Sequence, residues 1–215
     1  MRKSRVGTQI SVLLVDDHAV VREGYRRLLE SDGQLRVVGE ASNSAEALSR
    51  DRELAPDVIV LDIALPGVSG IETLRRITAR RPAARVLMFS MYQDAIYASR
   101  AFKAGALGYV SKSSAPELLI EAVRAVADGR QYVSPDVHQA MTTFLSGTSD
   151  LAHLLSSREY EVLRLLTSGC GMNEIGEQLG ISAKTVANLQ SSIKQKLGAN
   201  TALQLMVIAR QAGIS

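Results

Sequence analysis

Apolar residues in the first 130 positions fall into two alternating patterns: short unbroken bursts, and longer stretches where they recur every three or four positions. The bursts Ile10–Val15, Arg36–Ala41, Asp57–Leu61, Arg85–Phe89 and Gly108–Val110 predict strands. The stretches Ala19–Glu30, Ser44–Glu53, Ile71–Arg80, Ala95–Ala104 and Pro116–Asp128 predict helices. In the first helix Val20, Val21, Tyr25, Leu28 and Leu29 keep the helical period, and Asp32-Gly33 supplies the stop. Val58-Ile59-Val60-Leu61 and Val86-Leu87-Met88-Phe89 are apolar without alternation, as strands buried on both faces are. Five strands alternating with five helices predict a parallel sheet with helices on both faces. Right-handed crossovers then make a doubly wound α/β topology the simplest arrangement.

The pattern fades between residues 131 and 153, where Ser134-Pro135 and Ser146-Gly147-Thr148-Ser149 read as linker and a short helix around Asp136–Phe144 is compatible with the sequence. From residue 154 only helical periods remain: Ser157–Ser168, Met172–Leu179, Ala183–Leu197 and Thr201–Ala212. Ser157 reads as the cap of the first of these, Ser182 as that of the third, and Gly169, Gly180 and Gly198 as stops. The organisation predicted is an α/β domain over 8–130, a linker over 131–153 and an all-α four-helix domain over 154–215.

Composition narrows the class. Hydrophobic residues make up 46 % of the chain and charged residues 22 %, which is ordinary for a globular protein. No apolar run reaches the roughly 18 residues that span a bilayer, and the basic start Met1–Arg5 lacks the apolar run of a secretory signal. Cys170 is the only cysteine, which excludes an internal disulfide and suits a reducing cytoplasm. Residues 6–154 carry a net charge of −2 and residues 155–215 a net of +2, so the basic excess lies in the helical part.

Open α/β sheets place their sites at the carboxyl ends of the strands. Here Asp16-Asp17 ends the first strand, Asp62 the third and Ser90 the fourth, and Lys112 lies just past the fifth. Each alone has an ordinary structural role: a helix cap, a turn hydroxyl, a solvated lysine. Together they make a specific set. Three converging carboxylates repel one another, and a hard divalent cation such as Mg²⁺ relieves this. Lys112 and Ser90 suit the oxygens of a phosphoryl group.

Val12-Leu13-Leu14-Val15-Asp16-Asp17-His18, Val60–Gly70, Phe89-Ser90 and Gly105–Lys112 resemble a response-regulator receiver domain, a flavodoxin-like fold, over roughly residues 8–130. The resemblance implies that Asp62 accepts a phosphoryl group from a sensor histidine kinase. It implies that Asp16, Asp17, Asp62 and the backbone carbonyl of Ala64 hold Mg²⁺, and that Lys112 pairs with a phosphate oxygen. It also implies that Ser90 moves to the phosphate while Tyr109 rotates inward with it. Ser113 stands where the family often has proline.

In the third helix of the second domain Val186, Ile193 and Leu197 form the buried stripe, with Leu189 or Gln190 between. Lys184, Ala187, Asn188, Ser191 and Lys194 or Gln195 fall on the opposite face. Ser182–Leu197 contains no acidic residue, and Lys184, Lys194 and Lys196 give that helix a charge of +3. A short glycine-containing turn, Leu179-Gly180-Ile181-Ser182, precedes it, as in a helix-turn-helix. Leu155–Leu163, Asn173–Val186 and Ile193–Gly198 resemble the LuxR-type helix-turn-helix, with Lys184-Thr185-Val186 and Ile193-Lys194-Gln195-Lys196-Leu197 in register. The DNA-facing set is then Lys184, Thr185, Ala187, Asn188, Ser191 and Lys194. Leu189 departs from the His or Tyr common at its position and cannot bond a phosphate.

The two resemblances together are those of a NarL/FixJ-type response regulator. They imply a cytoplasmic regulator, not an enzyme, that binds double-stranded DNA as a homodimer on phosphorylation, with RNA polymerase a possible partner and no membrane. A DNA-binding regulator that works without phosphorylation is the alternative, and the complete set Asp16, Asp17, Asp62, Ser90 and Lys112 speaks against it. A phosphohydrolase with an aspartate nucleophile would carry a second acid where this chain has Ala64.

Overall fold

A computed structural model describes residues 9–146, 154–211 and Ile214. The basic residues 1–5, the stretch 147–149 of the expected linker and the expected helix end at Ala212 lie outside the described residues. The chain divides after Thr142 into two compact units.

The first unit alternates strand and helix. Strands β1 (Ile10–Val15), β2 (Leu35–Ala41), β3 (Val58–Leu61), β4 (Val86–Ser90), β5 (Gly108–Ser111) and β6 (Tyr132–Val133) form one sheet in the order β2-β1-β3-β4-β5-β6. Every pairing is parallel. Helices α1 (Ala19–Ser31), α2 (Ser44–Leu54), α3 (Gly70–Arg80), α4 (Ala95–Lys103) and α5 (Pro116–Ala127) are the crossovers, followed by α6 (Pro135–Ser146). All residues of β3, β4 and β5 are buried, which is why these segments read as unbroken apolar bursts. On one face Leu14, Val60, Leu87 and Phe89 pack with Leu119, Val123 and Val126 of α5 and Leu29 of α1. Side-chain caps set two of the helix starts: Asn43 accepts from the amide of Glu46, and Ser69 from that of Glu72. Asp32 and Gly33, the latter at φ 71°, end α1 as the sequence indicates.

The sheet has six strands where the pattern predicted five. Tyr132–Val133, in the segment read as linker, pairs with Gly108 and Tyr109. Two residues are too few to carry a period, so no alternation marks the strand. It is held by its backbone, with the Tyr132 amide donating to Leu107 O at 3.1 Å and the Ser134 amide to Tyr109 O at 3.0 Å. Ser134 is buried, and its hydroxyl accepts from the Ser111 amide at 3.3 Å.

The second unit is helical: α7 (Ser157–Thr167), α8 (Met172–Leu179), α9 (Ala183–Leu197) and α10 (Ala202–Gln211). Tyr160, Val162, Leu163, Ile175, Leu179, Val186, Ile193, Leu205 and Ala209 are its buried core. The cap of α7 is Ser156, one residue before the expected Ser157. The reason is the capping box: Ser156 accepts from the Glu159 amide, and the Glu159 carboxylate accepts from the Ser156 amide at 2.7 Å. A glutamate three residues on marks Ser156, not Ser157, as the start.

Candidate phosphoacceptor site and DNA-binding helix

The parallel register brings the ends of β1, β3, β4 and β5 to one edge. Asp16 follows β1, and its amide is held by Ala41 O at 3.1 Å. Asp62 follows β3, its amide bonded to Val15 O at 2.9 Å. Lys112 follows β5, its amide bonded to Ser90 O at 2.8 Å. These bonds fix four of the five expected residues to the sheet itself.

The Lys112 ammonium lies 2.5 Å from Asp16 Oδ2 and 2.5 Å from Asp62 Oδ2. All three side chains are buried, with 7 %, 3 % and 4 % exposure. Burial works to push the Lys112 amine down, but the two carboxylates outweigh it and hold the group above the usual lysine value. Burial raises the Asp62 carboxyl above its ordinary range, opposed by Lys112 and by the Ala64 amide, which donates to Asp62 Oδ1 at 3.2 Å. Asp17 points toward water and pairs with His18, whose Nδ1 lies 2.7 Å from Asp17 Oδ1.

His18 and Gly70 carry roles that the sequence reading did not assign. The His18 amide donates to Asp16 Oδ1 at 2.8 Å, so this residue orients both acids of the pair. Its signal is only its place directly after them. Gly70 starts α3 against the loop after β3: a Cβ there would stand 1.9 Å from the Asp62 carbonyl oxygen. The Gly70 amide donates to Ile63 O at 2.8 Å.

Ser90 is fully buried, and its hydroxyl accepts from the Tyr92 amide at 3.4 Å. Tyr109 is fully buried too, and its hydroxyl donates to Tyr92 O at 2.6 Å. The Tyr109 side chain thus points into the domain in this structure. Burial pushes its phenol well above the usual value, so it is a neutral donor.

Asp16, Asp17 and His18 each offer one ligand atom within 4.8 Å of the others, a group of three among the described residues. The wider donor set fits a hard divalent cation. Asp16, Asp17 and Asp62 bring three negative charges against one ammonium, and oxygen donors are what Mg²⁺ takes.

In the second unit α8 and α9 are joined through Gly180, at φ 61°. A Cβ on Gly176 would stand 2.7 Å from Ile181 O, so the turn packs on a residue that must be small. Ser182 caps α9, accepting from the Thr185 amide at 3.1 Å, and its hydroxyl also meets that of Thr185 at 2.9 Å. Lys184, Thr185, Asn188 and Ser191 are exposed, and Ala187 and Lys194 are half-buried. Val186 and Ile193 are buried as expected, whereas Leu189 and Leu197 are only half-buried. The Ser191 hydroxyl donates to Ala187 O at 3.0 Å and is partly spent on its own helix. Lys196 is met by Glu159 at 2.7 Å, whereas among the described residues no ion pair is seen for Lys184 or Lys194. Glu159 also accepts from the Ser192 hydroxyl at 2.7 Å. Burial pushes the Glu159 carboxyl up, but Lys196, Ser192 and Ser156 outweigh it and hold it at about 2. Cys170 sits half-buried between α7 and α8, its amide bonded to Leu165 O at 3.0 Å.

Residues 12–124 match the response regulator receiver domain family. Residues 153–209 match the bacterial regulatory proteins of the luxR family. The chain belongs to the two-component response regulators. Its receiver is followed by a LuxR-type helix-turn-helix domain, and the family is one of DNA-binding transcriptional regulators rather than enzymes. Response regulator UvrY of Escherichia coli strain K12 is 35 % identical over 208 residues, covering 95 % of both chains. Among solved structures, RcsB of Salmonella enterica serovar Typhimurium, bound to promoter P1flhDC with the phosphomimetic BeF3−, is 27 % identical with a TM-score of 0.66. It covers 95 % of this response regulator, and the alignment spans 100 % of that chain. A structure of two RcsB dimers bound to two parallel DNAs is 27 % identical, with a TM-score of 0.61 and coverage of 94 % and 98 % of the two chains. No helix among the described residues of this response regulator is long and apolar enough to cross a membrane.

Proposed function

We propose that Asp62 is the phosphoacceptor of this response regulator and that its phosphorylation by a sensor histidine kinase promotes DNA binding by α9. The observation that carries this is the Lys112 ammonium, 2.5 Å from both Asp62 and Asp16 at the converged strand ends. The Asp62 carboxylate oxygen attacks phosphorus, the bond from phosphorus to the donor's imidazole nitrogen breaks, and that nitrogen keeps the electron pair. Lys112 stays charged and neutralises the negative charge on the transferred oxygens. Asp16, Asp17, Asp62 and the Ala64 carbonyl would hold Mg²⁺, which supplies charge neutralisation at the phosphoryl oxygens. Ser90 donates to one of those oxygens, and Tyr109 holds the space behind it.

The product carries about −1.5 to −2 charges where one stood before. We read the consequence as a homodimer on DNA. Leu203, Met206 and Val207, at helical spacing on α10, are 73 %, 41 % and 49 % exposed, an apolar stripe that a second copy would cover. Two copies double the phosphate contacts of a weakly basic domain and read two half-sites. Lys184, Thr185, Ala187, Asn188, Ser191 and Lys194 make up the proposed DNA-facing set. Working on chromosomal DNA, the protein acts in the cytoplasm, where RNA polymerase is a further partner. The test of the site is labelling from acetyl phosphate with Mg²⁺. Wild type should form an acid-stable, base-labile aspartyl phosphate, and Asp62→Asn should retain none. Label kept by Asp62→Asn would overturn the assignment.

A further inference from the structure

The end of β4 and the loop after it are tied to β5 and the loop after it at three places. Two have been described: the Lys112 amide on Ser90 O, and the Tyr109 hydroxyl on Tyr92 O. The third is made by side chains. Gln93 Nε2 donates to Ser113 Oγ at 2.5 Å and reaches Ser111 Oγ at 3.4 Å. The Ser111 and Ser113 hydroxyls meet at 2.6 Å, and the Ser113 amide donates to Ser111 Oγ at 3.2 Å. Ser111 is fully buried, and its own amide is anchored by Ser134 Oγ at 3.3 Å. The bridge therefore runs from an exposed glutamine next to Tyr92 to a serine next to Lys112, and rests on a fixed point in the sheet.

We propose that Gln93 and Ser113 form a clasp that holds the Tyr92 carbonyl where the inward Tyr109 hydroxyl reaches it, which makes Ser113 a positioning residue of the switch. The physical case is a lever. The Tyr109 hydroxyl keeps its bond to the Tyr92 carbonyl only if that carbonyl stays in place. That carbonyl belongs to the residue before Gln93, and Gln93 is fastened to the residue after Lys112. Breaking the clasp loosens the loop after β4 and weakens the Tyr109 bond, while the Lys112 amide stays on Ser90 O. Proline at 113 would remove both the hydroxyl that Gln93 bonds and the amide that Ser111 accepts. Serine here thus adds a tie that the commoner residue cannot make. A solvent-exposed hydrogen bond is modest, so the shift expected is small but measurable, about two- to fivefold.

This rests on the reading of Asp62 as phosphoacceptor and of Tyr109 as its switch, and the experiment separates the two. Full-length Gln93→Ala, Ser113→Ala, the double variant and Ser113→Thr are compared with wild type, with folding checked by thermal melts. Phosphate-free protein labelled with fluorotyrosine reports the inward population of Tyr109, with Tyr109→Phe assigning the signal. Labelling from acetyl phosphate reports the site. Each single alanine variant should lower the inward population and the labelling rate about two- to fivefold. The double variant should be no worse than either single, and Ser113→Thr should restore wild-type behaviour. Additive single effects, an unmoved Tyr109 signal, or failure of threonine to rescue would each overturn the clasp. Absence of label on wild type would instead overturn the phosphoacceptor reading.

Discussion

Within the proposed DNA-facing set, Asn188 is the exposed side chain that can make a paired donor and acceptor contact, for which adenine is the usual match. Asn188→Ala should cost about 1–3 kcal/mol at the preferred site and relax specificity at one base position. Lys184 and Lys194 should act on phosphates, so alanine at either should weaken every sequence alike and lower the salt slope by about one unit. Binding to a specific and a scrambled site across a salt series checks both, and equal weakening of the two sites by Asn188→Ala would show that it reads no base. At Gly70 the expectation is steric. A methyl group 1.9 Å from the Asp62 carbonyl must push the phosphoacceptor loop away. Gly70→Ala should therefore destabilise the receiver by about 1–3 kcal/mol and slow labelling, read from melts and acetyl phosphate kinetics. Asp16, Asp17, Asp62, Ser90 and Lys112 were legible as a set because each ends a strand of one parallel sheet. Gly70 and His18 were less so: one acts through an absent side chain, the other through neighbours that the sequence shows only as adjacent.

Among the elements, the strands buried on both faces were the plainest, since burial on both sides leaves no polar position to blur the run. β6 was hidden because two residues have no period and its tie to β5 is made by backbone atoms. The start of α7 moved by one residue because a capping box, not a lone serine, sets it. The same Glu159 joins α7 to α9 through Ser192 and Lys196, and it makes a pH prediction. Its folded value is about 2 against an ordinary 4.5, so the folded state binds its proton less readily than the unfolded chain. The stability this confers is complete above about pH 4.5 and is lost as pH falls toward about 2. Allowing for solvent at Lys196, it amounts to about 2 kcal/mol. Glu159→Gln should lower the helical unit's stability at neutral pH and flatten its decline across that acid window. Amide exchange in α7 and α9 measures this, and an unchanged acid profile would refute the role given to Glu159.

For the whole molecule, sequence and structure agree on an α/β unit followed by a helical one, and the division after Thr142 shows that the first extends beyond the expected boundary at 130. The short helix compatible with the sequence around Asp136–Phe144 is α6, whereas β6, two residues without a period, left no signal. The central claim is that phosphorylation of Asp62 governs DNA binding. The most direct measurement is the affinity of full-length protein for its preferred promoter site, at fixed salt, with and without acetyl phosphate and Mg²⁺, for wild type and Asp62→Asn. Wild type should bind more tightly and with dimer stoichiometry when phosphorylated, while Asp62→Asn stays at the unphosphorylated affinity under both conditions. Equal wild-type affinity with and without a demonstrated phosphoryl group on Asp62 would contradict the account.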